Sequence, residues 1–343
     1  MLHDSENATH TAWSGPNSAA AMPRVLAVIP GDENDRSSMV FARRQMSSLE
    51  KRGVKVRTFF LSSRTSPSEV FRELRRFRQA VKQFDPDIVH AHYGTMTALF
   101  CAMGSAHPLV ISFRGSDLNP TSDIGFLRSL VGRLFSQVSV LRAKHVICVS
   151  QQLQDRLWAR PCPTSIIFDG VDLSLFKPIP QLEARRKLGW SLDSKLVFFN
   201  LGGRPAGKRL SLAESAIDHA RSAIPDIDLV PVSKVAPEQI PLYMNGCDCL
   251  LLTSDWEGSP TVVKEAIACN LPVVSVDVGD VKELLAGVEP SRIVPPDPKV
   301  IGEAIIDVLK TGARSNGSTR AGDVSEENTT SRVLSIYQSL MPA

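Results

Sequence analysis

The segment from Glu257 to Glu265, EGSPTVVKE, sets two carboxylates on either side of a Gly-Ser-Pro turn. It follows the apolar run CLLLT, which reads as a strand ending at Thr253, so the segment is expected to be a loop leading into a helix. Ser259 is the expected cap of that helix and Pro260 its first residue, with Thr261 next. Free amides in a helix's first turn, reinforced by the helix dipole, favour anionic or hydroxyl-rich ligands. Glu257 and Gly258 fall in the loop, where a carboxylate can accept hydrogen bonds from ligand hydroxyls. Glu265 falls about one and a half turns inside the helix. A second group, GGRPAGKR, follows the strand-like run KLVFFN. Gly202 and Gly203 permit close backbone approach there, while Arg204, Lys208 and Arg209 offer fixed positive charge to a departing diphosphate. The first half of the chain contributes Arg114 and Asp117 in FRGSD, and His90 and His92 in HAHYG. Arg114 cannot titrate near neutral pH and is excluded as a general base. Of His90 and His92, only one is expected to face a cleft.

These groups share a position: each lies just beyond the end of an apolar run. Apolar runs and helical periodicities alternate through the chain, the signature of a parallel, doubly wound α/β sheet, and such sheets bind ligands beyond their strands' carboxyl ends. RVLAVIP, VKVRTFFL, DIVHAHYG, PLVISFRGSD and HVICVS supply a first set of strands. KLVFFNLGG, IDLVPV, CDCLLLT and LPVVSVD supply a second, after a pause in FDGVDLSLFKP. The simplest organisation is a disordered tail over 1–22, a Rossmann-like domain over 23–172, a second over 173–324, and a C-terminal helix over 325–343. Within the first domain, a helix capped by Ser38 runs to Gly53, and another over 68–84 presents Val70, Leu74, Phe77, Val81 and Phe84 on one face. Arg72, Arg75, Arg76, Arg78 and Lys82 decorate the rest of that helix.

Composition narrows the class. The 343 residues are 43% hydrophobic and 22% charged, the profile of a globular chain with two α/β domains. No apolar run approaches the ~18–20 residues of a membrane-spanning helix. The first 22 residues lack Lys, Arg and an apolar core, and do not read as a signal peptide. Of the six cysteines only Cys247 and Cys249 lie close together, without a second pair or a nearby His, which argues against zinc and for a reducing cytosol. Charge is uneven: residues 23–177 carry 22 Lys/Arg against 13 Asp/Glu (+9), and residues 178–343 carry 17 against 21 (−4). The basic half suits a phosphate-bearing substrate or an anionic membrane surface; no nucleic-acid partner is expected.

The pattern E-G-S-P-x4-E, followed by A-x-A-C-x-x-P-V-V and D-V-G-D, resembles the E-x7-E region of retaining group 1 (family 4) glycosyltransferases of GT-B fold. The resemblance runs over roughly residues 24–340 and is strongest from Tyr243 to Leu285. It implies two Rossmann-like domains facing a cleft, the first binding the acceptor and the second a nucleotide-sugar donor. Glu257 would contact the donor sugar, the loop of Gly258, Ser259, Pro260 and Thr261 would line sugar and phosphate, and Glu265 would hold the ribose hydroxyls. Gly203, Arg204 and Lys208 match the family's Gly-Arg…Lys pattern with a loop one residue shorter, Arg209 being the other basic candidate. FRGSD resembles the family's H-G-x-D motif with Arg114 in place of His and Asp117 retained. The catalytic set implied is thus Glu257, Arg204, Lys208, Arg114 and Asp117, without a metal or other cofactor. Asp169 stands in FDGVDLSLFKP where Asn is usual, and the chain between IDLVPV and IPLYMNGCD is short, where part of the nucleobase pocket usually lies. The expected partners are the donor and a glycan or lipid-linked acceptor, in the cytoplasm and peripherally on the inner face of the plasma membrane. A sugar-nucleotide epimerase and a silent subunit that binds a partner transferase stay open as alternatives.

Overall fold

The computed structural model describes residues 22–35, 38–62, 67–120, 125–202 and 205–342. Residues 1–21 of the expected tail, and the candidate residues Gly203 and Arg204, lie outside the described residues.

The first half holds β1 (Arg24–Pro30), α1 (Val40–Lys51), β2 (Lys55–Leu61), α2 (Pro67–Phe84), β3 (Ile88–His92), α3 (Thr95–Gly104), β4 (Leu109–Phe113), α4 (Phe126–Val140), β5 (His145–Cys148), α5 (Gln151–Gln154) and β6 (Thr164–Ile166). Its six strands form one parallel sheet in the order β2-β1-β3-β4-β5-β6. Helices cover both faces, so β3 and β4 are buried along their whole length, His90, His92 and Ser112 included. Along β1, Leu26 and Val28 enter the cluster that contains Phe77, Phe100 and Phe113, whereas Val25 and Ala27 enter the opposite one with Met46, Val110 and Ile147.

The second half holds α6 (Gln181–Leu188), β7 (Lys195–Asn200), α7 (Leu210–Ala220), β8 (Ile227–Val232), α8 (Ile240–Gly246), β9 (Cys249–Leu252), α9 (Thr261–Ala268), β10 (Val273–Val276), α10 (Val281–Leu285), β11 (Arg292–Val294), α11 (Pro298–Lys310) and α12 (Glu326–Ser339). Its five strands are parallel in the order β11-β10-β9-β7-β8, so β8 is an edge. The short chain between β8 and β9 carries a 3-10 turn and the seven-residue α8.

Helix α12 returns to the first half. Val333, Leu334 and Tyr337 complete the cluster under β1 and β4, Arg52 of α1 bonds Ser331 at 2.5 Å, and Arg332 donates to the Ile166 carbonyl at 2.7 Å. The chain therefore passes between the halves twice, side by side: Val171 N donates to Val324 O at 2.9 Å, and Glu326 N to Val171 O at 2.8 Å. Gly170 fits there because a Cβ would lie 2.5 Å from the Glu326 Cα.

Two local expectations are corrected. Ser38 does not cap α1: the helix starts at Val40 behind Met39, which adopts a left-handed φ of 52° and provides no side-chain cap. The α1 terminus does fall at Gly53, whose φ of 90° allows its N–H and that of Val54 to close back on Glu50 O and Leu49 O. In α2 the aromatic stripe packs inward, with Phe77 against Phe59 and Phe100 at ring separations of 5.3 and 5.1 Å.

Candidate functional site

The strand ends of both sheets meet. Gly258, in the loop after β9, lies so close to the loop after β4 that a Cβ on it would stand 2.5 Å from the Arg114 carbonyl oxygen. Gly115 (φ 142°) faces Gly258 from the other side. Glycine at both positions lets the two loops touch through backbone.

On the second sheet, Glu257 is brought to Lys208: Nζ lies 2.5 Å from Oε1, and Ser254 Oγ donates to the same oxygen at 2.8 Å. Both side chains are about four-fifths buried, at 18% and 20% exposure. Arg209 is used differently. It takes a left-handed φ of 52° before α7 and donates to Thr253 O and Asp255 Oδ1, both at 3.0 Å, tying the β7 and β9 loops together. Lys208 is thus the basic residue aimed at Glu257. Beside the pair, a hollow of about 420 Å3 opens between Arg209, Ser254, Asp277, Lys282, Ile293 and Pro295, beyond the carboxyl ends of β9–β11.

The expected cap of α9 is corrected. The helix starts at Thr261 with Pro260 at the cap position, and Ser259 accepts no amide. Ser259 Oγ instead donates to Asp280 Oδ2 at 2.6 Å and accepts from Lys264 Nζ at 3.0 Å. Glu265 is half-buried, and no described protein group hydrogen-bonds its carboxylate. Burial pushes its pKa up to about 7, against opposing pulls from Arg44 of α1, across the cleft, and from Lys264.

On the first sheet, Arg114 is 5% exposed and pairs with Asp169 in the chain that joins the halves. Its NH2 also lies 3.4 Å from Gln45 Oε1 and from His92 Nδ1, and its guanidinium sits 4.8 Å from the Phe41 ring centre. Asp117 is fully buried. Its carboxylate accepts from the backbone N–H groups of Gly94 at 3.0 Å, Arg114 at 3.0 Å and Gly115 at 2.8 Å, pinning the β3 and β4 loops together. Burial raises its pKa and those amides pull it back. Asp117 therefore positions the loop; it has no open face toward a ligand.

The expectation that one of His90 and His92 faces the cleft needs correction, because residues two apart on a strand share a face. Their rings stack 3.9 Å apart, both fully buried. His90 bonds Tyr337 OH at 2.5 Å and Ser112 Oγ at 2.8 Å. His92 lies nearer the strand's end, and its Nε2 is buried without a partner. Burial lowers both pKa values well below the usual imidazole range, with Arg114 adding to the effect, so both rings are neutral near pH 7.

Sequence reasoning overlooked Lys264 and Asp280. Lys264 is fully buried, with Nζ 4.6 Å from the Phe168 ring centre. Burial lowers its pKa, while Asp169, Asp280 and Glu265 raise it. Burial raises Asp280 to about 6, and its Oδ1 has no partner. Arg114, Asp169, Lys264 and Asp280, with the neutral Ser259 hydroxyl between the last two, thus form a polar row across the junction of the halves. A Lys within VVKEAIA, where helical spacing calls for an apolar side chain, was the available signal. Among the described residues no group of three or more His, Cys, Asp or Glu could hold a metal ion. All six cysteines are free.

Two family models match: Glycosyltransferase Family 4 over residues 34–175 and Glycosyl transferases group 1 over residues 216–322. The chain is 29% identical over 259 residues to TuaC of Bacillus subtilis (strain 168), a glycosyltransferase assigned to teichuronic acid biosynthesis. That match covers 67% of this chain and 65% of TuaC, less than two thirds of the relative's length. Among solved structures, sucrose-phosphate synthase from Thermosynechococcus elongatus superposes with a TM-score of 0.74 at 17% identity, covering 92% of this chain and 99% of that one. HepE of Anabaena, in complex with UDP and glucose, superposes with a TM-score of 0.68 at 17% identity over the same shares.

Proposed function

The chain belongs to the group 1 glycosyltransferases of GT-B architecture, and from that premise we propose that it moves a sugar from a nucleoside-diphosphate donor to a glycan or lipid-linked acceptor. The observation that carries this reading is the pairing of Lys208 with Glu257 beside an unbonded Glu265, all beyond the carboxyl ends of the second sheet. The donor lies over the second half, its ribose hydroxyls on Glu265 and its sugar against Glu257 and the amides of the 258–261 loop. Lys208, with Arg204, neutralises the diphosphate as it leaves. On the first half Arg114, held by Asp169, borders the sugar site, and Asp117 fixes the loop that presents it.

Transfer with retention follows from attack on the donor face that the leaving group vacates. The acceptor oxygen bonds to the anomeric carbon, the carbon–phosphate oxygen bond breaks with its electron pair passing to the diphosphate, and the acceptor proton goes to that diphosphate. No protein nucleophile is needed. Positive charge from Lys208 and Arg204 stabilises the charge that builds on the diphosphate, and the reaction proceeds without a metal. TuaC's assignment to teichuronic acid synthesis supports a role in surface polysaccharide assembly, in the cytoplasm and against the membrane. HepE's complex with UDP and glucose makes UDP-glucose the first donor to try.

The test is a thermal-shift panel of UDP-, GDP- and ADP-sugars followed by donor hydrolysis without acceptor. A shift with one donor and slow release of free sugar are expected. Glu265→Gln should weaken donor binding, and Glu257→Gln should mainly slow turnover. If both variants turn over at the parent rate, the site assignment is wrong. An isomerised nucleotide sugar would identify an epimerase, and the lack of any shift a silent subunit.

A further inference from the structure

Helix α4 is built inside out. Its inward face is mostly polar, with Ser129, Ser136, Gln137 and Ser139 buried beside a single apolar Val140, and Gly132 against Thr95 of α3. Two of those hydroxyls are satisfied locally: Ser136 Oγ donates to Asp117 O at 2.8 Å and accepts from Thr95 N at 2.7 Å, and Ser139 Oγ donates to Phe135 O at 2.6 Å, whereas Ser129 Oγ is buried without a partner. Its outward face is Leu127, Leu130, Val131, Leu134 and Val138, continued by Leu141, all between 38% and 71% exposed, with Phe126 at 79% before them. Spaced at three and four residues, they form one apolar stripe about 22 Å long. Water alone selects the opposite orientation, and a continuous exposed stripe of this kind marks a surface with a partner.

The surrounding charge identifies that partner. From Gly125 to Lys144 there are four Lys/Arg and no Asp or Glu. Arg142 donates to Ala106 O at 2.8 Å and Arg78 of α2 to Met103 O at 3.3 Å, so a basic rim continues across the ends of α2 and α3. Trp158, 72% exposed, is tethered to α4 through its backbone N–H, which donates to Gln137 Oε1 at 3.0 Å. An apolar face edged by arginines, with an exposed Trp at its side, matches a helix lying in the headgroup plane of an anionic bilayer. A second copy of the chain would instead press one basic rim against another.

We propose that α4 docks this protein flat onto bilayers containing anionic phospholipid. The chain runs from the Arg114–Asn119 loop into α4 within about seven residues, so docking sets the mouth of the cleft at headgroup level. A lipid-linked acceptor would present its glycan there. That purpose rests on the transferase reading; the docking chemistry does not.

The experiment is co-sedimentation of the full chain with vesicles of phosphatidylcholine alone or with roughly one third phosphatidylglycerol. Binding is expected to be at least about tenfold tighter to the anionic vesicles and to weaken with salt. The double variant Leu127→Glu/Leu134→Glu, altered only on the outward face, should lose more than about tenfold of that binding while keeping its melting temperature. Equal binding by the variant, or no binding by the parent, overturns the proposal. So does a dimer in size-exclusion chromatography that the double substitution dissolves, with no vesicle binding. Donor hydrolysis without vesicles is measured in parallel. Hydrolysis without vesicle binding rejects the docking alone, and vesicle binding without hydrolysis rejects the transferase reading alone.

Discussion

Replacing Glu265 with Gln should make the empty protein more stable and the effect should grow with pH. Burial raises the Glu265 carboxyl to about 7 from an ordinary value of 4.5. A carboxyl whose folded pKa is raised costs nothing at low pH, where it is protonated in both states. The cost begins as the unfolded chain ionises near 4.5 and is complete once pH exceeds the folded value of about 7. At about 1.4 kcal/mol per unit, the full cost is about 3 kcal/mol at pH 8 and below about 1 kcal/mol at pH 5. Water at the open cleft reaches the half-buried group, so these are ceilings. Gln keeps the shape and removes the charge. For a domain of this size each kcal/mol moves the midpoint by about 2–4 °C, so a gain of several degrees at pH 8 that shrinks at pH 5 is expected. Thermal unfolding by circular dichroism at both values measures it. A variant that is less stable at pH 8, or shifted equally at both pH values, would refute an ionised, poorly compensated Glu265.

Other expectations follow from the same site. Donor binding to the parent should tighten up to about tenfold between pH 6 and 8 as Glu265 ionises to receive the ribose hydroxyls, and calorimetry should find this slope flattened in Glu265→Gln. Lys208→Met should slow donor turnover by about 10²–10³, and unchanged turnover in the folded variant removes Lys208 from the site. Gly258→Ala puts a methyl 2.5 Å from the Arg114 carbonyl, so the loops must part and turnover should fall by about 10²-fold. Arg114→Leu leaves Asp169 unpaired beside a buried cluster and should destabilise by about 3–5 kcal/mol, partly recovered by adding Asp169→Leu, a pattern that denaturant melts can read.

The architecture was readable because central parallel strands write themselves as largely apolar runs, unbroken in β9 and interrupted only by His90 and His92 in β3 and by one Ser each in β4 and β10. The placement of Glu257 and Lys208 beyond the strand ends of the second sheet was readable for the same reason, since each lies in the loop that follows such a run. What escaped depends on groups distant in sequence. Ser259 is a favourable cap by local rules, but Asp280 and Lys264 occupy its hydroxyl. Lys264 stands out at an apolar helix position, but nothing near it in sequence says that Phe168 of the joining segment packs over its ammonium. The periodicity of α4 gives an apolar stripe and a polar one without saying which turns inward, and the packing of Gly132 on Thr95 decides that.

The return of α12 to the first sheet has a consequence for biosynthesis. Val25, Ala27 and Val110 sit in a layer closed by Val333, Leu334 and Tyr337, residues translated only after the whole second half. The first half to leave the ribosome is thus the last to be finished. Until α12 arrives, its sheet keeps an open apolar face and His90 lacks the Tyr337 hydroxyl. Expressed alone, residues 23–172 should be poorly soluble, and co-expression of a peptide spanning α12 should rescue them.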